Sequence, residues 1–151
     1  MAVGSYTFYN TFRKKLGKKT IDLSADNFKI ALFKSTSNAA TLTLSTLGSV
    51  TNEISATGGY AVHGRSILNR GWTVGTSAKQ FKFVGSAPVF TASGASLNNI
   101  KFAVVFDDSV GASAGLRPLM FFVQLSTAQF TISSGNTMTI VNPATGMFTL
   151  A

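Results

Sequence analysis

Short apolar runs separated by turns, and never by a long helix, restrict this chain more than any other feature. The clearest early run is Asn27-Phe28-Lys29-Ile30-Ala31-Leu32-Phe33. Side chains alternate across an extended strand, so Phe28, Ile30 and Leu32 share one face. Ala31 and Phe33 make the other face apolar too, which predicts burial on both sides. Ile100–Phe106 repeats the pattern, with Phe102, Val104 and Phe106 opposite Ala103 and Val105. Leu119–Leu125 is a third rich run, and 79–84, 89–92 and 138–141 are shorter ones. Leu42 and Leu44 alternate with Thr, Ile67 and Leu68 fall within 65–72, and Phe130 alternates with Ile132. Gly58-Gly59, Ser93-Gly94 and Ser134-Gly135-Asn136 supply turn chemistry between runs. The spacing predicts about eight to ten short strands, as in a sandwich or barrel. No crossover helix separates them, so antiparallel pairing is expected. The predicted class is all-β, an antiparallel, jelly-roll-like β-sandwich.

One segment breaks the pattern. Phe8, Phe12 and Leu16 recur at helical spacing, which predicts a short amphipathic helix over Ser5–Gly17. Ser5 is the candidate cap, and Gly17 can provide a left-handed stop. Arg13, Lys14 and Lys15 fall near the end, where the helix dipole favours cations. Lys18 and Lys19 extend this basic run. The expected organisation is a helical arm over 1–20 and a β-sandwich domain over 21–151.

Thirteen Lys and Arg against five Asp and Glu give a net charge of +8. That excess suggests an anionic partner. Charged residues are only 12% of the chain, about half the usual share. A body so poor in charge fits a subunit covered by neighbours. With 151 residues the chain can bury a core without staples. It has no Cys, which excludes disulfides and thiolate chemistry. No secretory leader is expected at the N-terminus, and no apolar run approaches membrane-spanning length.

Candidate chemistry is sparse. His63 is the only histidine and follows the Gly58-Gly59 turn; a structural role is expected for it. Asp107 and Asp108 are adjacent, and neighbours on a strand point to opposite faces, so they predict a turn and not an acid–base dyad. Ser109 alone is thin support for a calcium site there. One His without Cys cannot form a transition-metal site. No cofactor and no enzymatic activity are expected. The basic run fits a solvated helix end, a dock for an acidic protein surface, or a nucleic-acid contact; a membrane-surface helix fits the amphipathic pattern, but the segment lacks the length and the Trp for it, so no membrane partner is expected. No base-stacking aromatics are interleaved with the charges, so nucleic acid is not the expected partner.

Further residues carry a resemblance. The aromatic–basic helix leads to Ile21-Asp22-Leu23-Ser24 and then to Asn27–Ser35. Ile54–Tyr60 is followed by Trp72, and Phe90-Thr91-Ala92-Ser93-Gly94 leads to Ile100 and Phe102–Asp107. This succession resembles a group of small virion structural proteins of tailed bacteriophages. In other members Trp precedes the Thr-Ala-Ser-Gly segment, where this chain has Phe90. The resemblance implies a particle subunit made in the host cytoplasm, with the major capsid protein or other virion subunits as partners. It implies head decoration, or cement, first, and a tail, neck or fibre role second, receptor binding included. By analogy a homo-oligomer, a trimer at three-fold positions, is expected. The docking element is expected to be the helix. Phe8, Phe12 and Leu16 would be its apolar anchors, with Arg13, Lys14, Lys15, Lys18 and Lys19 steering it to an acidic surface. A basic nucleic-acid-binding module remains the third reading.

Overall fold

The longest apolar run becomes the longest strand. In a computed structural model, which describes residues 5–75, 77, 79–110 and 113–150, residues Leu97–Asp107 form one strand of 11 residues. In chain order the elements are β1 (Thr7–Phe8), α1 (Asn10–Gly17), β2 (Phe28–Lys34), a 3-10 turn (Leu47–Ser49), β3 (Arg65–Ser66), β4 (Gly71–Val74), β5 (Phe81–Val84), β6 (Val89–Thr91), β7 (Leu97–Asp107), β8 (Leu119–Gln124), β9 (Phe130–Ile132), β10 (Thr137–Thr139) and β11 (Phe148–Leu150). The chain is all-β, with every strand pair antiparallel.

The main sheet runs β1-β8-β7-β2-β3. β9 adds to β7 beyond the end of β8, where Ile100 faces Lys34 on one side and Phe130 on the other. The opposing layer is split into β11-β5-β4 and the pair β10-β6. Between the layers lies the larger core, which includes Phe28, Ile30, Leu32, Ala103, Val105 and Phe121 from the main sheet. Phe83, Phe90, Met138 and Phe148 face them from the other side. The result is a sandwich.

The second face of the main sheet is also buried, as its alternation requires. Ala31, Phe33, Phe102, Val104, Phe106 and Phe122 lie beneath Ala39 and Leu47 of the long loop after β2. Tyr9 is fully buried there and donates to the Ala39 carbonyl at 2.6 Å. Leu42 and Leu44 belong to this loop and not to a strand. Two successive turns, Thr41 N–H to Asn38 O and Leu44 N–H to Thr41 O, curl it over the sheet. Asn38 clamps the curl by accepting from Thr51 N–H and donating to Ser49 O.

The helix is shorter than its sequence suggests. Residues 7–8 are extended and pair with Phe121 and Phe122, because the exposed edge of β8 offers backbone partners there. Tyr9 stands at the N-cap without a side-chain cap, so Ser5 has no capping role. The left-handed stop is Lys19, at φ 58°, two residues past Gly17. No boundary separates an arm at residue 20. Phe12 is 1% exposed and belongs, with Ile21, to the same core as Phe121 and Phe148.

A tight turn delivers β3 to the edge of β2. His63 and Gly64 both take left-handed conformations, and a Cβ at Gly64 would run into the Ile30 carbonyl. Only glycine allows that approach.

Truncating Phe12 to Ala is expected to lower the unfolding free energy by about 3–5 kcal/mol in a urea titration. Arg13→Ala, one residue away and exposed, should change it by less than about 0.5 kcal/mol. A negligible effect at Phe12 would mean that the helix is not part of the cooperative body.

Candidate docking surface

Helix α1 divides its side chains sharply. Phe8 and Phe12 stack at 5.4 Å between centroids with rings 6° from parallel. Both meet Phe121 and Phe148 edge-on. Leu16 packs against the same core and remains part-exposed. The predicted anchors therefore point first into the protein's own body. Phe12 is not free for a partner, whereas Phe8 and Leu16 keep an accessible fraction.

The basic residues split as well. Arg13, Lys14, Lys18 and Lys19 are exposed. Lys15 turns back, and its Nζ donates to the Ser45 carbonyl at 2.5 Å. Partial burial lowers its pKa from the usual lysine value. Lys15 thus ties α1 to the covering loop and drops out of the predicted docking set.

The acidic side chains explain why the exposed cations have no internal partner. All five are engaged elsewhere. Asp22 accepts from Ser24 N–H at 2.9 Å and from Ser24 Oγ–H at 2.5 Å. These bonds, Ser24 Oγ first, hold its carboxyl below the usual carboxylate range. It reaches solvent beside Lys19, whose charge acts in the same direction. Glu53 Oε1 accepts from Tyr60 O–H at 2.7 Å and from His63 N–H at 2.6 Å. Asp108 lies 2.8 Å from Lys29 Nζ and 2.9 Å from Arg117 Nε. Asp26 accepts from Asp22 N–H at 2.6 Å and meets Asp107 carboxyl to carboxyl. Among the described residues, no carboxylate lies within ion-pair range of Arg13, Lys14 or Lys18.

Beside α1 the opposing layer overhangs the core. Trp72, Phe83 and Phe148 are cross-strand neighbours on the inner face of β4-β5-β11. Two residues further along each strand, on the same face, come Val74, Phe81 and Leu150. These are 55%, 42% and 40% exposed. They form an apolar shelf that is left exposed among the described residues. A groove of about 370 Å³ joins the shelf to the helix, lined by Phe8, Phe12, Arg13, Leu16, Thr149 and Leu150 among others. Sequence reading missed the shelf, because its members come from three strands and meet only through register.

The other candidates sit in structural roles. His63 lies edge-on to Phe106 with centroids 6.5 Å apart, and its Nδ1 is 3.4 Å from Glu53 Oε2. Tyr60 O–H, hydrogen-bonded to Glu53, also accepts from Leu32 N–H at 3.0 Å. Burial, then the Glu53 charge, raises the Tyr60 pKa far above the usual phenol value. The group pins the Glu53–Gly64 segment onto β2. Asp107 and Asp108 diverge, as neighbours on a strand do. Asp107 is fully buried and accepts from Ser109 N–H at 2.7 Å. Ser109 Oγ accepts from Asn27 N–H at 2.6 Å, so the serine ties two loops together. Among the described residues, no cluster of three or more His, Asp or Glu has metal-binding geometry. No helix among them is long and apolar enough to cross a membrane.

Comparisons with protein families, curated proteins and solved structures return no match to this chain.

The Asp26–Asp107 contact carries a pH signature. Burial first, and the Asp26 carboxyl beside it, push Asp107 from 3.8 up to about 6, against the opposing Ser109 N–H bond. Between those values the folded state holds more protons than the unfolded chain. Stability is therefore highest below about pH 4 with respect to this group. It falls as pH rises through about 6, by roughly 2–3 kcal/mol. Asp107→Asn should flatten that slope in urea titrations across the window; an unchanged slope would place the proton elsewhere.

Proposed function

We propose that this chain is a non-enzymatic virion structural subunit, a capsid decoration or cement protein of a tailed phage. The observation that carries the docking half of this reading is the uncompensated charge on α1. All five acidic side chains are held by other partners, while Arg13 and Lys14 on α1 and Lys18 just past its end are exposed and without an ion-pair partner among the described residues. The phage half rests on the sequence resemblance from Phe8 through Asp107.

The mechanism is interfacial. A rigid sandwich presents the basic helix to an acidic capsid surface, and the charges set register and speed of association. Each contact buries several hundred Å² or more, which opposes separation of the capsid subunits it bridges. A subunit that binds only the assembled lattice stabilises that state by mass action. No catalytic residue and no cofactor enter this reading. Homo-oligomers, trimers first, follow from the analogy with cement proteins.

The net charge also favours a second reading, a sequence-independent nucleic-acid-binding module. Such a module would bind duplex or single-stranded DNA with log affinity falling linearly against log salt.

Charge reversal at Lys14 and Lys18 tests the proposal without disturbing the Lys15–Ser45 contact. The variant is expected to fold normally, to lose occupancy on purified particles, and to show a shallower fall of its residual binding with salt than the wild type. Wild-type occupancy of the reversed protein would contradict a helix-docked subunit. Copy number separates the particle locations: hundreds per particle fit head decoration, and a single symmetric ring fits the neck or tail.

A further inference from the structure

Two acids face one another where β2 enters the main sheet and β7 leaves it. We infer that Asp26 and Asp107 hold one proton between them, and that this proton latches the turn over 22–27 onto the end of β7, closed in acid and loosened at neutral pH.

Hydrogen bonding demands the proton. Asp107 is 0% exposed and lies opposite Phe28, whose ring is in the larger core. Its Oδ1 accepts from Ser109 N–H at 2.7 Å, while Oδ2 is buried and meets no donor among the described residues. The group facing it is the Asp26 carboxyl, whose Oδ2 already accepts from Asp22 N–H at 2.6 Å. Ionised carboxylates only accept, so two of them cannot satisfy each other. With one proton the pair forms a short, charge-assisted O–H···O bond. Without it two like charges meet, one of them out of water.

Charged neighbours do not relieve the pair. Asp22, on the same turn, gives its carboxylate to Ser24 and stands beside Lys19. Arg70, just before β4, spends Nη2 on the Ala25 carbonyl at 3.0 Å. Asp108 takes Lys29 and Arg117. Among the described residues no cation stands within ion-pair range of Asp26 or Asp107. The upward displacement of Asp107 to about 6, from burial first, agrees with this arrangement.

The proton governs the turn because Asp107 is the hub of the junction. Ala25 N–H and Asp26 N–H bond back to Asp22 O, so the turn closes on itself. Its links to the end of β7 are Asn27 N–H to Ser109 Oγ at 2.6 Å, Asp108 N–H to Asn27 O at 2.8 Å, and the acid pair. Asp107 thus holds the turn directly through Asp26 and indirectly by orienting Ser109. Losing the proton strengthens the bond from Ser109 N–H and breaks the one to Asp26. Asp26, already part-exposed, then turns to water.

An amide in place of either acid does the work of the proton. Asp26→Asn keeps an oxygen for Asp22 N–H and offers Asp107 an N–H donor at every pH; Asp107→Asn supplies the donor from the other side. Urea midpoints of both variants and the wild type are compared at about pH 4 and about pH 7.5. Each variant is expected to gain stability at the higher pH and to change little at the lower. In wild type near pH 7, the Asp22 and Asp26 amides should exchange without urea dependence, while β7 amides require global unfolding. In Asp26→Asn the turn amides should exchange roughly tenfold or more slowly. Equal gains at both pH values, or none at the higher, would overturn the shared proton. Turn amides that open only together with β7 would overturn the latch. Calcium chloride that raises the wild-type midpoint near pH 7.5, and not that of Asp26→Asn, would give the pair to a cation and overturn the inference as well.

Discussion

The rest of the molecule depends on β7 being hydrogen-bonded along both edges and apolar on both faces. β2 pairs with it from Phe28 opposite Asp107 to Lys34 opposite Ile100, and β8 takes the other edge from Phe102 to Phe106. A strand buried in this way demands a cover on each side. The small sheets and α1 cover one face, and the long loop after β2 covers the other. Tyr9 and Lys15 stitch helix to loop, so the two covers are linked through α1. The helix is thus a structural part of the sandwich whose outer surface remains available.

That arrangement separates packing from charge. The carboxylates are placed where the chain must be pinned: at the entry to β2, at the exit of β7 and at the Glu53–His63 segment. Each fixes loop geometry through hydrogen bonds or ion pairs. Few acids remain to balance the lysines and arginines on the surface. The opposing layer is split in two, and its three-stranded part extends past the core. Among the described residues two departures from a self-sufficient surface remain, the exposed cations of α1 and the apolar row of Val74, Phe81 and Leu150, and Arg13 is the cation that borders the groove between them.

Much of the body was legible from local pattern. Period-two alternation placed β2, β7 and β8, because their side chains are apolar on both faces and any sheet must bury them. The shortest elements were not legible. Thr7–Phe8 and Phe148–Leu150 are strands only because β8 and β5 present edges to them. Leu42 and Leu44 alternate like a strand, but turn bonds within 38–44 curl the segment, and pairing with the chain before β8 begins only at Ser45 and Thr46. The helix stripe was read correctly as amphipathic, but one of its three expected anchors, Phe12, is spent on the chain's own core. Periodicity marks a face and is silent on whether that face meets the chain's own body or another protein. Asp26 meeting Asp107, and Val74 meeting Phe81 and Leu150, are products of topology and register that no local signal carries.

Native-state hydrogen exchange tests the central claim, that α1 and the β2-β7-β8 ladder form one cooperative body. Amides of β7 are expected to exchange only through global unfolding, and the last-turn amides of α1 are expected to approach the same limit. A helix exchanging orders of magnitude faster than β7, with a denaturant dependence typical of local opening, would contradict the account and return residues 5–20 to the status of a detachable arm.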